Sequence, residues 1–385
     1  EFLDIVLTFF YQDNLNITGS ISIVILLKIL VAFGLFGLAS LNLLAKKETT
    51  IFASAQFIYG AVVFYFLSLL IARSELTVFT DNSKVATLCM FRSNTRVFQV
   101  DNFDKWYIRL PPPNVKLQGT ADVLRQVAAL EVLPESVPHC VVQWSGDDDQ
   151  WFGRPYFVVP QLEGDIVRVK SERIKNLSAD TRFDMARQAI GALVEIHRVD
   201  WRRAPYLGAP VSLQFDVERW DRFVKKAANQ SKLQLVPEVK RLLLDKLPRQ
   251  SYVGIFHGDF QWSNLFYSDR NELLAVIDWE LVGVGATLND IGWLATFNDP
   301  DAWMDTNHAN HVMPHAKELI EIYEEAWGAS LPEIDWFRAL AAYKFAIITG
   351  FNLMLHRRGK RDDPVWETTK DSMESLLLRA KALLN

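Results

Sequence analysis

"FHGDFQWSNLF", residues 256–266, sets a histidine, an aspartate, a serine and an asparagine into a run that is otherwise apolar and aromatic. Four residues separate Asp259 from Asn264, and a second apolar run, "LLAVIDWE" (273–280), delivers Asp278 fourteen residues after Asn264. The stretches "VGIFHGDF" and "LLAVIDWE" read as two short strands flanking the polar cluster. Asp and Asn in a loop usually mark only a turn. Three polar residues at this spacing, behind a strand that ends in Asp-Trp-Glu, ask for a chemical reason.

Phosphoryl transfer from ATP supplies one. A carboxylate must face the acceptor hydroxyl and take its proton, which assigns Asp259 as catalytic base. An amide and a second carboxylate, Asn264 and Asp278, supply the hard oxygens that hold Mg2+ on the phosphates. The D-x4-N spacing equals that of the protein-kinase catalytic loop, with Asp278 at the place of the second metal-holding aspartate. His257 is expected to orient the loop by hydrogen bonding to backbone, and Gly258 to let it turn tightly.

The rest of the chain is consistent with an enzyme of this kind. Its 385 residues suffice for two domains or one large two-lobed domain. A net charge of −5 gives no global reason to expect nucleic-acid binding. Two cysteines, Cys89 and Cys140, far apart and outside any metal or redox spacing, fit a reducing compartment rather than a disulfide scaffold. Residues 76–160 read as a small antiparallel sheet with one helix: "ELTVF", "TRVFQV", "KWYIRL", "HCVVQW" and "RPYFVVPQL" as strands, and "TADVLRQVAALEVL" (120–133) as an amphipathic helix capped by threonine. Residues 161–385 turn helical, with the two strands around the polar cluster as a hairpin. The expected fold is therefore α+β: a bilobal, protein-kinase-like arrangement with a small antiparallel β lobe carrying one helix and a larger helical lobe.

The first 75 residues are a different material. "ISIVILLKILVAFGLFGLASLNLLA" (21–45) carries one charge and "IFASAQFIYGAVVFYFLSLLIA" (51–72) none. Each exceeds the roughly 20 apolar residues needed to cross a bilayer, and neither shows a polar face. The segment reads as N-terminal apolar helices, membrane-associated through 21–72, with buried core helices as the alternative. Lys46 and Lys47 between the stretches would place that loop in the cytoplasm, whereas dependence on ATP places the kinase there. The second argument is the stronger, so the expectation is a cytoplasm-facing enzyme.

With "HGDFQWSNLF", "VIDWE", "NDIGWL", "RPYFVV", "LRQVAALEVL" and "YKFAIITGFNLMLHRRG", residues 91–380 resemble the aminoglycoside phosphotransferase and choline kinase-like family. Within it they are similar to the acyl-CoA-dehydrogenase-associated branch. The resemblance implies Asp259 as base, Asn264 and Asp278 as magnesium ligands, and an adenine-binding hinge near Val159, Gln161 and Leu162. Asp290 then looks like a residue that steadies the catalytic loop. Ser93 and Asn94 match the family's phosphate-side loop, with Arg92 where glycine is usual. Arg109 stands where kinases generally carry the strand lysine, and its planar fork can grip phosphates. The helix glutamate expected to pair with that cation falls on Gln126, which can hydrogen-bond to Arg109 but not neutralise it.

Three further signals compete for attention. His308, His311 and His315 have metal-like spacing, broken by Pro314. "HRRGKR" (356–361) could face the acceptor or simply favour a helix C-terminal dipole. "GVGATLND" lacks the third glycine of a dinucleotide loop. The leading reading is an ATP-dependent kinase of a small hydroxylated acceptor, neutral or anionic, with a hydroxyacyl thioester suggested by the branch. A membrane-tethered, catalytically impaired pseudokinase is the alternative, motivated by Arg92 and Gln126. A metal-dependent hydrolase using His257, Asp259 and Asp278 is the third.

Overall fold

A computed structural model describes residues 95–100, 104–112, 116–148, 151–304, 312–331 and 333–385. The apolar stretches 21–72, the strand "ELTVF", Arg92, Ser93, Asn94, His308 and His311 lie outside the described residues. Arg96–Tyr107 fall in one compact unit, which contains most of two neighbouring strands, β1 (Thr95–Val100) and β2 (Asp104–Arg109). Ile108–Asn385 belong to a second unit, which holds the polar cluster.

The second unit begins with helix α1 (Val123–Leu130). The threonine expected to cap it instead lies in a 3-10 turn, Gly119–Ala121. Asp122 is the cap, its carboxylate accepting from Leu124 N at 3.1 Å. Aspartate, directly before the apolar-periodic residues, is the stronger N-cap. Strands β3 (Trp144–Gly146) and β4 (Tyr156–Pro160) pair antiparallel. The first is displaced from the expected "HCVVQW" toward its C-terminal end.

After β5 (Asp165–Ile166) and a short α2 (Glu172–Lys175) comes α3 (Ala179–Arg198). Ser178 caps it by accepting from Thr181 N at 3.1 Å. The run "VERWDRFVKKAA" does not form one helix; it breaks at Arg219–Trp220 into α4 (Leu213–Glu218) and α5 (Asp221–Val224), followed by α6 (Val236–Asp245).

The strands beside the polar cluster do not form a hairpin with each other. β6 (Val253–Phe256) pairs with β9 (Gly283–Ala286), while β7 (Leu265–Tyr267) pairs with β8 (Leu273–Val276). The ring of Phe256 explains the first pairing: a Cβ at Gly283 would meet it at 2.7 Å and one at Gly285 at 3.1 Å. The glycines of "GVGATLND" are thus strand positions that accommodate an aromatic ring. Cys140, which is free, packs beside β5, β7 and β8 against the cluster of Ile166, Phe266 and Ala275.

Helices α7 (Leu288–Phe297), α8 (Ala316–Trp327), α9 (Ile334–Arg357), α10 (Val365–Thr369) and α11 (Met373–Leu384) complete the unit. His315 precedes α8 and its N–H donates to Glu318 Oε2 at 2.7 Å, so it serves a helix start. Among the described residues α9 alone is long and apolar enough to cross a membrane, and it is mostly buried inside the core, packed by α7 and α11. It also carries Lys344, whose Nζ lies 2.6 Å from Asp216 of α4 in a buried pair.

Candidate active site

The turn after β6 is held by one carboxylate. Asp290, fully buried on α7, accepts from His257 N at 2.6 Å through Oδ2 and from Gly258 N at 2.8 Å through Oδ1. Behind it stands a relay absent from the sequence reading. His197 of α3 donates Nε2–H to Asp290 Oδ2 at 3.2 Å, and its Nδ1 hydrogen-bonds the Tyr323 hydroxyl of α8 at 2.7 Å. Three helices therefore fix a two-residue turn. Gly258 has φ 87°, and a Cβ there would collide with the Leu281 carbonyl, so only glycine fits.

His257 orients the next part of the loop. Its Nε2–H donates to the Ile277 carbonyl at 2.9 Å, and its Nδ1 accepts from Asp259 N at 3.3 Å. Burial holds the ring's pKa below its ordinary value, against the pull of Asp290, which matches a neutral ring donating at one nitrogen and accepting at the other.

Asp259 ends up recessed and triply hydrogen-bonded. Its Oδ1 accepts from Gln261 Nε2 at 2.9 Å and Trp293 Nε1 at 3.0 Å, and its Oδ2 accepts from Asn264 Nδ2 at 3.0 Å. Burial pushes its pKa up to about 7; the donors pull it down, and the neighbouring Asp278 adds to the rise. A carboxylate that titrates near neutrality is suited to accept and release a proton. Gln261 and Trp293 were not singled out in the sequence. Both lie inside quoted motifs, but only the fold shows that α7 returns Trp293 to the loop.

Asn264 and Asp278 come together through the backbone. Ile277 N donates to the Asn264 carbonyl at 2.9 Å, so the strand that carries Asp278 is stitched to the loop. Because the Asn264 amide nitrogen also donates to the Asp259 carbonyl at 2.8 Å, its side-chain oxygen is the atom left available to a cation. Asp278 adopts φ 63° and ψ 57°, a left-handed conformation that is uncommon for a non-glycine residue and concentrates at functional sites. An amide oxygen and a carboxylate are hard donors of the kind magnesium takes alongside substrate phosphates, so this pair fits the ion.

Arg109 closes the site from the end of β2. Its Nη2 lies 3.3 Å from Asp278 Oδ1 and 3.3 Å from Glu280 Oε2. The expected bond from Gln126 to Arg109 is not formed: Gln126 is buried, and its Nε2 has no hydrogen-bond partner. A neutral amide cannot compete for a guanidinium with two adjacent carboxylates. Val159 lies in β4 against Val123, Val127 and Phe157, while Gln161 and Leu162 occupy the link to β5. Of the "HRRGKR" cations, Arg357 is engaged at the surface by Glu367 at 2.6 and 2.9 Å.

The profile of a phosphotransferase enzyme family matches residues 92–340. The chain belongs to that family. Members of known structure share its kinase-like fold. An aminoglycoside phosphotransferase-type protein from Ralstonia eutropha superposes with a TM-score of 0.63 at 19% identity, over 80% of this chain and 93% of the other. The GDP complex of aminoglycoside 2′-phosphotransferase-IIIa superposes with a TM-score of 0.54 at 14% identity, over 80% and 92%. Among curated sequences, acyl-CoA dehydrogenase family member 11 is similar at 23% identity in Homo sapiens and 26% in Mus musculus. Those alignments cover 69% and 70% of this chain but 36% of each relative, so the chain spans about a third of their length. The family is one of phosphotransferase enzymes, and the superposed structures share this chain's kinase-like fold.

Proposed function

We propose that the chain transfers the γ-phosphoryl group of ATP to a hydroxyl of a small molecule. The observation that carries the reading is the Asp259 carboxylate, held by Gln261, Asn264 and Trp293 beside Asp278, with its pKa raised to about 7 by burial. Asp259 accepts the acceptor's hydroxyl proton as that oxygen forms its bond to the γ-phosphorus. The bond from the γ-phosphorus to the bridging oxygen breaks, and ADP leaves. Asn264 Oδ1 and Asp278 would hold magnesium, which supplies charge neutralisation on the phosphates when bound. Arg109 grips phosphate oxygens through its planar fork, the family resemblance assigns Ser93 and Asn94 to the phosphates as well, and Val159, Gln161 and Leu162 receive the adenine.

The hydrolase reading fails on His257, whose two ring nitrogens are committed to Ile277 and Asp259 and offer no lone pair to a metal. The impaired-kinase reading loses part of its motive, because Arg109 is neutralised by Asp278 and Glu280 rather than left to Gln126.

For the acceptor we infer a neutral or anionic molecule. Trp293, which donates to Asp259, packs with Phe297, Trp303 and Phe345 in a largely buried aromatic cluster, and the preference over a polycation rests on the cations of "HRRGKR". The names of the curated relatives add acyl-CoA chemistry, and a hydroxyacyl thioester combines both features. Attachment to a membrane through 21–72 rests on the apolar composition of that segment, and the cytoplasm-facing orientation rests on the proposed dependence on ATP. The decisive experiment is an ATP-consumption assay, with and without magnesium, over hydroxyacyl thioesters, hydroxy acids, choline and kanamycin. Magnesium-dependent turnover highest with a hydroxyacyl compound is expected. Kanamycin as the best acceptor would overturn the acceptor class, and magnesium-independent hydrolysis would overturn the mechanism.

A further inference from the structure

In this fold a cation that grips phosphates needs a carboxylate to aim it, and helix α1 offers only Gln126 at the expected place. The structure presents another carboxylate. Glu280 follows Asp278 by two residues, in the 3-10 turn Trp279–Leu281, and its side chain is only 8% exposed. A carboxylate buried to that degree is costly unless it is paired. Its Oε2 lies 3.3 Å from Arg109 Nη2, the same nitrogen that lies 3.3 Å from Asp278 Oδ1.

The turn itself is anchored. α1 packs against it, and Arg125 of α1 donates to the Val282 carbonyl at 3.1 Å and to the Leu207 carbonyl at 3.2 Å. Trp279, also buried, donates Nε1–H to the Val276 carbonyl at 2.9 Å. The residues flanking Glu280 are thus held on both sides, whereas the amide nitrogen of Gln126 makes no hydrogen bond.

We propose that Glu280 is the positioning residue for Arg109, supplying from the metal-ligand turn the carboxylate that helix α1 lacks. This rests on the reading of Arg109 as a phosphate-binding cation. Shared between two acids, the guanidinium is kept from settling wholly on Asp278, and it is held where phosphate oxygens can exchange for one of its contacts. Arg109 and Glu280 then act as one unit.

Charge and position make opposite demands, which gives the test its sign. Removing a negative charge beside a polyanion, by itself, tightens binding of that polyanion. Losing the residue that aims the cation loosens it. Calorimetry on the full chain would measure ATP, GTP and adenosine binding for wild type, Glu280→Gln, Arg109→Gln and the double variant. Thermal melts and adenosine affinity serve as controls for folding and for the base pocket.

The expected result is nucleoside-triphosphate affinity lowered about ten- to hundredfold by Glu280→Gln, the scale of one charge-assisted hydrogen bond. Adenosine affinity should not change. In the Arg109→Gln background, Glu280→Gln should have no effect or tighten binding. Tighter triphosphate binding by the single variant, or equal weakening with and without Arg109, would overturn the proposal and make Glu280 a charge or a direct ligand. If Glu280→Gln melts early, Glu280→Asp, which keeps the charge but shortens the reach, must reproduce the selective loss for triphosphates. A wild-type chain that binds neither ATP nor GTP would instead overturn the nucleotide reading of the site, and this inference with it.

Discussion

Two sides of one site are built to different standards. Around Asp259 and Asp290 each carboxylate oxygen has a named donor, the distances run from 2.6 to 3.2 Å, and the donors come from α3, α7 and the loop itself. At Arg109, one nitrogen lies 3.3 Å from each of two acids, Asp278 and Glu280, and the neighbouring helix keeps a buried amide nitrogen without a partner. The first region is preorganised: apart from Asn264, its geometry is fixed by groups with no proposed part in the chemistry. In the second, a cation is divided between two acids, either of which phosphate oxygens could replace. On the proposed reading, orientation of the base is invested in the fold, while the grip on phosphates is left adaptable.

Disabling the base probes the rigid side most strongly. Asp259→Asn should lower turnover by about 10²–10⁴-fold, the usual contribution of general base assistance. Nucleotide affinity should barely move. A variant that turns over like the wild type would remove Asp259 from the mechanism.

Removing the clamp should be felt as stability. Asp290→Ala strips acceptors from two backbone N–H groups and from His197, all in the protein interior, and should cost about 3–5 kcal/mol in urea unfolding. A loss below about 1 kcal/mol would mean that the loop is held by something other than Asp290, and the contrast between the two sides would fade.

The pH dependence of the same region follows from burial. Asp259 has a folded-state pKa of about 7, above the value near 4 of an unfolded aspartate. An acid raised in this way is fully tolerated below pH 4, and its ionisation costs the folded state progressively as pH climbs to 7. Without magnesium, the stability advantage of Asp259→Asn over wild type should therefore grow by about 2–3 kcal/mol between pH 5 and pH 8. Wild-type turnover should rise through the same window, as the base loses its proton. A stability gap that stays constant with pH would place the ionisation elsewhere.

The smallest effect tests the loose side. Gln126→Leu replaces a buried amide, whose nitrogen is unpartnered, with an apolar side chain of similar size, so stability should stay within about 1 kcal/mol of wild type or rise. A loss of several kcal/mol in a thermal melt would show that the amide does work this structure does not assign to it.

Much of the site could be read along the chain because it is written in short spacings. His257, Asp259 and Asn264 belong to one loop, and Asp278 follows at the end of the next strand pair, so their proximity needs only a hairpin between β7 and β8. Asp290 was legible for the same reason, one turn into the following helix. What could not be read came from afar. His197 reaches Asp290 from 93 residues away, backed by Tyr323 a further 126 residues from it in sequence, and Trp293 returns to Asp259 because α7 packs back over the loop. Glu280 was quoted as the last residue of a motif, yet its pairing with Arg109, 171 residues earlier, depends on how the chain closes. The strand pairing was misread too, since alternation identifies strands but not their partners.

Sequence alone determined the identities that chemistry requires: a base, an amide and a carboxylate at spacings that local backbone geometry can satisfy. It also determined most of the helices, whose apolar period is a local property of side-chain direction, though "VERWDRFVKKAA" broke into two. The tertiary structure decided which carboxylate clamps the loop through which histidine, which donors set the proton affinity of Asp259, and which acid holds Arg109. Those are questions of burial and of contact between distant segments. Burial raises or lowers a pKa by removing water, and a salt bridge forms only where folding brings two charges within a few ångströms. No spacing along a chain encodes either.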